Sequence, residues 1–362
     1  MSLPVAAPAG NTPGPQETRN QIGKSVLPLS FGLETQFERV FSFQYARATI
    51  DERNGRIFLA LFRDNQVQVL DMKTGATRQT LRNLDRPEWV SFDHGHNVLL
   101  VALGNSRQFE IIPDLDPSKE YRQPTGLNPV WVGGSSKNGY FLLAGGVHIL
   151  YRLDRGSYAS TDWIALGDKV HDVALDASGK QIYLPLMRKG KVWIVDLATL
   201  RLLRELDLET CDGPRNVVPV SLEKKERLAV LCKNGLYFVH PDVSTPHRSW
   251  KFHHRPGSMA SLVRGNLLIV SFPEKNELDI WDIAGKRVVK RIALDSRPIF
   301  LTSTADGTGF LVITNSARRQ ETRLIFYRIS GPVPHLKKAS NPPSTVLPEG
   351  PSNGKVKTPV KR

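Results

Sequence analysis

The sequence predicts an all-β chain assembled from one repeated unit, and three observations carry that prediction. Between residues 24 and 330 the apolar residues fall in short runs of Val, Ile, Leu, Phe and Tyr, separated by turn residues and with almost no helical periodicity. The runs recur at a fixed spacing. The residue that opens each unit is Tyr45, Pro87, Pro129, Val170, Pro214, Pro256 and Pro298, at intervals of 42, 42, 41, 44, 42 and 42. Each unit holds four strand-like runs. Seven units of four antiparallel strands predict a seven-bladed β-propeller, which is one ring-shaped domain rather than two.

Each element of the unit has a local reason. The first strand opens on proline in five of the seven units. Proline is tolerated there because the first residue of a strand need not donate to the ladder. A polar turn follows, as in Asp51-Glu52-Arg53-Asn54-Gly55, Asp93-His94-Gly95-His96 and Asp306-Gly307. The second strand is the most apolar, as in Ile57–Phe62, Val98–Leu103, Tyr140–Ala144 and Leu267–Phe272. A second hairpin comes next, such as Arg63-Asp64-Asn65 or Lys233-Asn234-Gly235. The third strand ends near an aspartate: Asp71, Asp114, Asp154, Asp196, Asp242 or Asp282. The fourth is short and amphipathic, as in Ala76–Arg82 and Lys286–Ile292. The seventh unit lacks a fourth strand after its third at about Thr322–Arg328, while the strand-like Lys24–Ser30 precedes the first unit. Pairing that segment into the last blade would close the ring and remove an exposed sheet edge.

The domain reading is a disordered N-terminal tail over 1–23, the propeller over 24–330, and a disordered basic, Pro-rich tail over 331–362. Hydrophobic residues make up 40% and charged residues 23%, and no run approaches the roughly 18 apolar residues of a membrane helix. The first residues carry no basic segment followed by an apolar run, so a cytoplasmic protein is expected. The two cysteines exclude a disulfide scaffold. Transferring the strand register of the second unit to the fifth sets Cys211 and Cys232 beside each other across the ladder. In the cytoplasm they are expected as two reduced thiols.

Three units resemble the Tyr-Val-Thr-Asn (YVTN) type of propeller repeat, related to quinoprotein-like propellers. They are Val67-Gln68-Val69-Leu70-Asp71-Met72-Lys73-Thr74-Gly75, Val192-Trp193-Ile194-Val195-Asp196-Leu197-Ala198-Thr199 and Leu278-Asp279-Ile280-Trp281-Asp282-Ile283-Ala284-Gly285. The likeness to the Trp-Asp repeat family is more distant, since Trp281-Asp282 is the one such dipeptide. The resemblance implies the fold and says little of function. Quinoprotein dehydrogenases of this fold class use vicinal cysteines, whereas these two stand 21 apart. His94 with His96, and His253 with His254, lack a carboxylate cluster at metal-ligand spacing. No cofactor, metal or catalytic residue is therefore expected. An enzyme, either hydrolase or oxidoreductase, would need its site in the channel, where the first strands offer Asp172.

The net charge of +14 implies either an anionic partner or a generally basic proteome, which charge alone does not separate. Propeller geometry turns the repeat into a map. Loops between blades, and hairpins between second and third strands, open on one face, here the top. The blade-joining loops place Arg86, Lys169, Arg255 and Arg297 just before an opener, and Arg215 just after one. These five are expected to converge around the channel mouth. Arg63, Arg107, Arg188 and Lys189 join them from the top hairpins, and Trp89, Trp131 and Phe300 share the position two after the opener. The expectation is a non-enzymatic, WD40-like scaffold, monomeric within a larger complex, with no membrane contact. It would bind an acidic protein or peptide on its basic top face; the alternative is nucleic acid or another polyanion. Two arrangements would weaken that reading: Asp85, Glu88, Asp168, Asp212 and Asp295 could neutralise the ring, and the aromatics could serve blade packing instead.

Overall fold

The computed structural model describes residues 31–330, apart from 136–138, 146–147, 177, 223–224 and 263–265. The expected tails over 1–23 and 331–362, and the run 24–30, lie outside the described residues. Seven four-stranded antiparallel sheets form the blades. The first comprises Ala46–Asp51, Arg56–Leu61, Gln66–Asp71 and Thr77–Arg82, running outward from the channel. The innermost strands of the next six are Pro87–Asp93, Pro129–Ser135, Ala174–Leu175, Asn216–Leu222, Met259–Leu262 and Arg297–Ser303.

Burial follows the strand's place in the blade. Second strands such as Val98–Leu103 and Leu267–Phe272 are buried at every residue. Each lies between two neighbouring blades, so both faces must be apolar and the run is continuous rather than alternating. The core is the set of blade-to-blade contacts. Phe58, Val67 and Val69 of the first blade pack on Val90, Phe92 and Leu99 of the second, with the Phe58 and Phe92 rings stacked at 4.9 Å. Outer strands face water, and Leu202–Asp207 buries only Leu206.

Four of the six recurring aspartates at the ends of third strands are turn formers, while Asp114 pairs with Lys119 and Asp242 with Arg204. The Oδ1 atoms of the four accept backbone N–H groups two or three residues on: Thr74 on Asp71 at 2.8 Å, Ser157 on Asp154 at 2.7 Å, Thr199 on Asp196 at 2.8 Å and Gly285 on Asp282 at 3.0 Å. The acidity of the bottom face is in this sense a by-product of the repeat.

The ring closes through an N-terminal strand in the last blade, as the missing fourth strand predicts. The strand is Gly32–Ser42, antiparallel to Glu321–Ser330 from Gly32↔Ser330 to Ser42↔Glu321. The sequence reading gave that role to 24–30 because it looked for an apolar run. An outer strand needs little apolar surface, and this one buries a single side chain, Phe37. The Phe37 ring lies 5.7 Å from that of Phe326 and reaches the first blade at Gly75. Gly75 has φ +70°, and a Cβ there would stand 2.5 Å from the Phe37 ring, so only glycine fits. Arg39 donates to the Gly75 carbonyl at 2.8 Å, completing the tie between last and first blades.

Cys211 and Cys232 form a disulfide with Cα atoms 5.6 Å apart, which corrects the expectation of two reduced thiols. Their proximity has a different origin from the one expected. In this blade Asn216 faces Leu231, whereas the transferred register had it facing Leu228. The pair meets because the loop before the inner strand folds over the strand end, held by Lys233 N–H donating to the Asp212 carbonyl at 2.8 Å.

Candidate anion-binding channel

Each blade carries one residue to the channel at the same place, two after the opener, on the inner strand or, for Asp172 and Ser258, just before it. The seven are Arg47, Trp89, Trp131, Asp172, Asn216, Ser258 and Phe300, and all line the channel. For the aromatics a β-bulge performs the placement: register shifts fall between Pro87 and Trp89, Pro129 and Trp131, and Pro298 and Phe300. The extra residue bends the strand and re-aims the next side chain. In the fourth blade the inner strand shrinks to Ala174–Leu175. There Asp172 Oδ1 accepts the Val173 N–H at 3.0 Å.

This ring is the waist between two cavities. The upper, about 520 Å³, opens on the top face and is lined by Arg47, Arg215, Arg255, Arg297, His171 and Glu274, among others. The lower, about 470 Å³, opens among hydroxyl and apolar side chains and includes Trp131. Trp89, Asp172, Asn216 and Phe300 belong to both.

Arg47 stands at the centre of the waist. Its guanidinium lies 4.6 Å from the Tyr45 ring centroid, 4.8 Å from Phe300 and 5.8 Å from Trp89, and Nη1 donates to the Ile299 carbonyl at 3.2 Å. Such cation–π contacts hold the guanidinium in place, and its charge bears on the carboxyls of Asp172 and Glu88. Across the channel Asn216 Nδ2 donates to Asp172 Oδ2 at 2.6 Å. Burial pushes the Asp172 carboxyl up to about 6, against the pull of Arg47, Asn216 and the Val173 amide. Burial, followed by the charges of Arg47, Lys169 and Arg255, holds His171 below the usual imidazole range.

Of the expected site residues, Arg215, Arg255, Arg297, Trp89 and Phe300 meet in the upper cavity. Trp131 lines the lower one and also packs, 7% exposed, between the third and fourth blades. Arg63, Arg86, Arg107, Lys169, Arg188 and Lys189 line neither cavity. Arg86 lays its guanidinium 5.5 Å from the Phe62 ring, and Arg63 donates to the Phe43 carbonyl. Lys189 donates to the Leu166 carbonyl and sits over Trp193. Lys169 stays exposed, close enough for its charge to bear on His171. The four hairpin cations are not among the lining, whereas Glu274 and Ala317 of two other top hairpins are.

Four of the five acids that were candidates to neutralise the rim are otherwise engaged, and the fifth, Glu88, lies close enough for the charge of Arg47 to bear on it. Asp85 accepts from Asn105, and Asp168 accepts the Lys169, Arg188 and Lys189 backbone N–H groups. Asp212 pairs with Lys233 at 2.9 Å, and Asp295 lies within 3.8 Å of Arg319 and 3.6 Å of Arg323. Among the described residues Arg215, Arg255 and Arg297 make no ion pair. Sequence reasoning missed Arg47, His171, Asn216 and Ser258 as channel residues. The offset that grouped the three aromatics, applied to every unit, names Arg47, Asn216 and Ser258. Among the described residues no three of His, Cys, Asp and Glu gather closely enough to hold a metal ion, and no helix is long and apolar enough to cross a membrane.

Fold and site together define a β-propeller with a basic channel mouth. No protein-family model and no curated protein matches the chain. Solved structures do. The β-propeller domain of Cps50 (Swd1) from Myceliophteria thermophila aligns with a TM-score of 0.65 at 12% identity, over 82% of this chain and 99% of that one. BBS1N, in a complex with ARL6DN, aligns with a TM-score of 0.61 at 16% identity, over 86% and 99%. At these identities the likeness is one of fold.

Proposed function

We propose that this protein is a non-enzymatic interaction propeller that binds an acidic protein or peptide at the top of its channel. One observation supports it most: Arg47, Arg215, Arg255 and Arg297 line a single cavity with no ion pair to any acid among the described residues. Cations gathered in a concave, low-dielectric mouth focus potential outward and attract anions. A protein partner is the use recorded for one neighbour, BBS1N with ARL6DN. The kinship with YVTN-type repeats belongs to this reading as well, resting on three of the units.

The test is binding of a fluorescent acidic peptide across a salt series. Affinity should fall steeply with salt, because exposed charges are screened over roughly 8–10 Å at 0.1–0.15 M. Arg255→Glu with Arg297→Glu should abolish it. A salt-independent affinity, or a double variant that binds normally, would remove the reading. For the compartment, the disulfide favours an oxidising environment over the cytoplasm that the sequence predicts. Thiol titration of the denatured, unreduced protein should find none; two reactive thiols would restore the cytoplasmic reading.

A further inference from the structure

Beside the upper cavity, in the groove between the fifth and sixth blades, lies another of about 360 Å³, and the two share one loop and one hairpin. Residues 251–254 of the blade-joining loop line the groove cavity, and residues 255–258 line the channel cavity. Around the top hairpin of the sixth blade, Phe272 and Lys275 line the first of these, Pro273 and Glu274 the second. The loop is pinned on both sides of the division. Phe252 N–H donates to the Asn234 carbonyl at 3.2 Å, and Gly257 N–H to the Ser271 carbonyl at 2.8 Å. The cavities therefore stand at a fixed separation. Their chemistry differs. The groove cavity has an aromatic floor: the Phe252 and Trp281 rings are 5.5 Å apart, Phe252 meets Phe272 edge to face at 5.3 Å, and Trp250 backs Trp281 in a stack at 5.2 Å. Phe252, Trp281 and Val288 are only half-buried, so apolar surface is left uncovered there. The rim is basic. Lys251 and Lys275 are exposed and form no ion pair among the described residues. The acids in the wall, Glu277 and Asp279, are both held by Arg291, at 3.7 and 2.8 Å.

We propose that the groove cavity is a second anchor for the same acidic partner, taking one aromatic side chain of the segment whose carboxylates meet the arginines of the channel mouth. This rests on the reading of the mouth as an acidic-peptide site and names a residue that the peptide carries beside its acids. Uncovered aromatic surface under a cationic rim suits a segment that mixes aromatic and acidic side chains, since the ring is buried while the carboxylates stay among lysines and arginines. The volume is within the range that encloses small ligands. An aromatic side chain fills such a space at low entropic cost, because only two χ angles are fixed. A single nucleic-acid strand fits less well, because it needs aromatic platforms in succession along a cationic groove, and here a loop and a hairpin divide the two cavities.

The experiment uses the full chain and labelled peptides that carry an acidic cluster and, at a series of spacings from it, either Phe or Ala. At the spacing that matches the separation of the cavities, Phe should bind about tenfold tighter than Ala, as for a ring buried at the centre of an interface. Phe252→Ala should remove that preference and leave the affinity of the Ala peptide unchanged, with a melt to confirm the fold. Should that variant fail to fold, the peptide series on the unmodified protein decides alone. Equal binding of Phe and Ala peptides at every spacing, still salt-dependent, would overturn the second anchor and leave the acidic-peptide reading intact. So would a Phe preference that survives in folded Phe252→Ala. No binding of any peptide, or binding of a single-stranded oligonucleotide alone, would overturn both.

Discussion

Asp172 shows how one channel position can carry both a stability cost and a binding effect. Its carboxyl rises from the ordinary 3.8 to about 6 because burial disfavours the anion. The folded protein therefore holds a proton that the unfolded chain has released, and stability is lost as pH rises from about 4 through about 6. Above that window the cost is constant, at most roughly 3 kcal/mol for a change of this size. Asp172→Asn should stabilise the protein by about 1–3 kcal/mol at pH 7.5 and by nearly nothing at pH 4, read from denaturant melts. The same proton tunes the mouth. Acidic-peptide affinity should rise as pH falls from 7.5 to 5.5, since Asp172 becomes neutral beside Arg47. In Asp172→Asn the rise should be smaller. The shared offset of Trp89, Trp131 and Phe300 was legible in the sequence, but the buried Asp172–Asn216 pair was not. It joins residues 44 apart on neighbouring blades, and only the ring brings those strands together.

The closing strand and the disulfide are the elements whose removal says most. Deletion of residues 1–30 should leave the melting temperature unchanged, because the closing strand begins at Gly32. Deletion of 1–42 should lower it sharply or prevent folding, since Glu321–Ser330 then becomes an open edge. Phe37→Ala alone should cost about 3 kcal/mol, in the range for a buried Phe. Equal melting of the two truncations would mean that the strand does not seal the ring. Reducing the Cys211–Cys232 bond, which closes a separation of 21 residues, should cost about 3 kcal/mol in guanidinium melts. Four strands per unit were readable from hydrophobic runs because second strands are buried on both faces. The closing strand was misplaced for the converse reason: a mostly solvent-exposed outer strand leaves only Phe37 as its apolar signal.

At the scale of the whole molecule the repeat produces a ring, and the ring converts scattered arginines into one field. Residues 47, 215, 255 and 297 are distant in the chain, yet they face the same cavity. Charge reversal at Arg255 and Arg297 should leave the fold intact, changing stability by less than about 0.5 kcal/mol, because both are exposed and unpaired. Anion binding should fall by at least tenfold. A large loss of stability in that variant would mean that these side chains serve the fold instead. The asymmetry of the molecule reinforces the assignment: the top carries unpaired cations, and the bottom carries aspartates already committed to turns.

The sequence by itself determined the seven-fold repeat, the four strands of each blade, the need for a closing strand and the basic character of the top loops. These follow from local rules: apolar runs mark buried strands, Asp and Gly mark turns, and a constant interval marks one unit copied. Only the tertiary structure decided which side chains face the channel, that Arg47 sits among Tyr45, Trp89 and Phe300, and that Arg86 and Lys189 turn away from the mouth. It also decided that Cys211 reaches Cys232 through a folded loop. The physical reason is that direction and proximity across blades depend on bulges, register and ring curvature, which are set by packing between strands far apart in sequence.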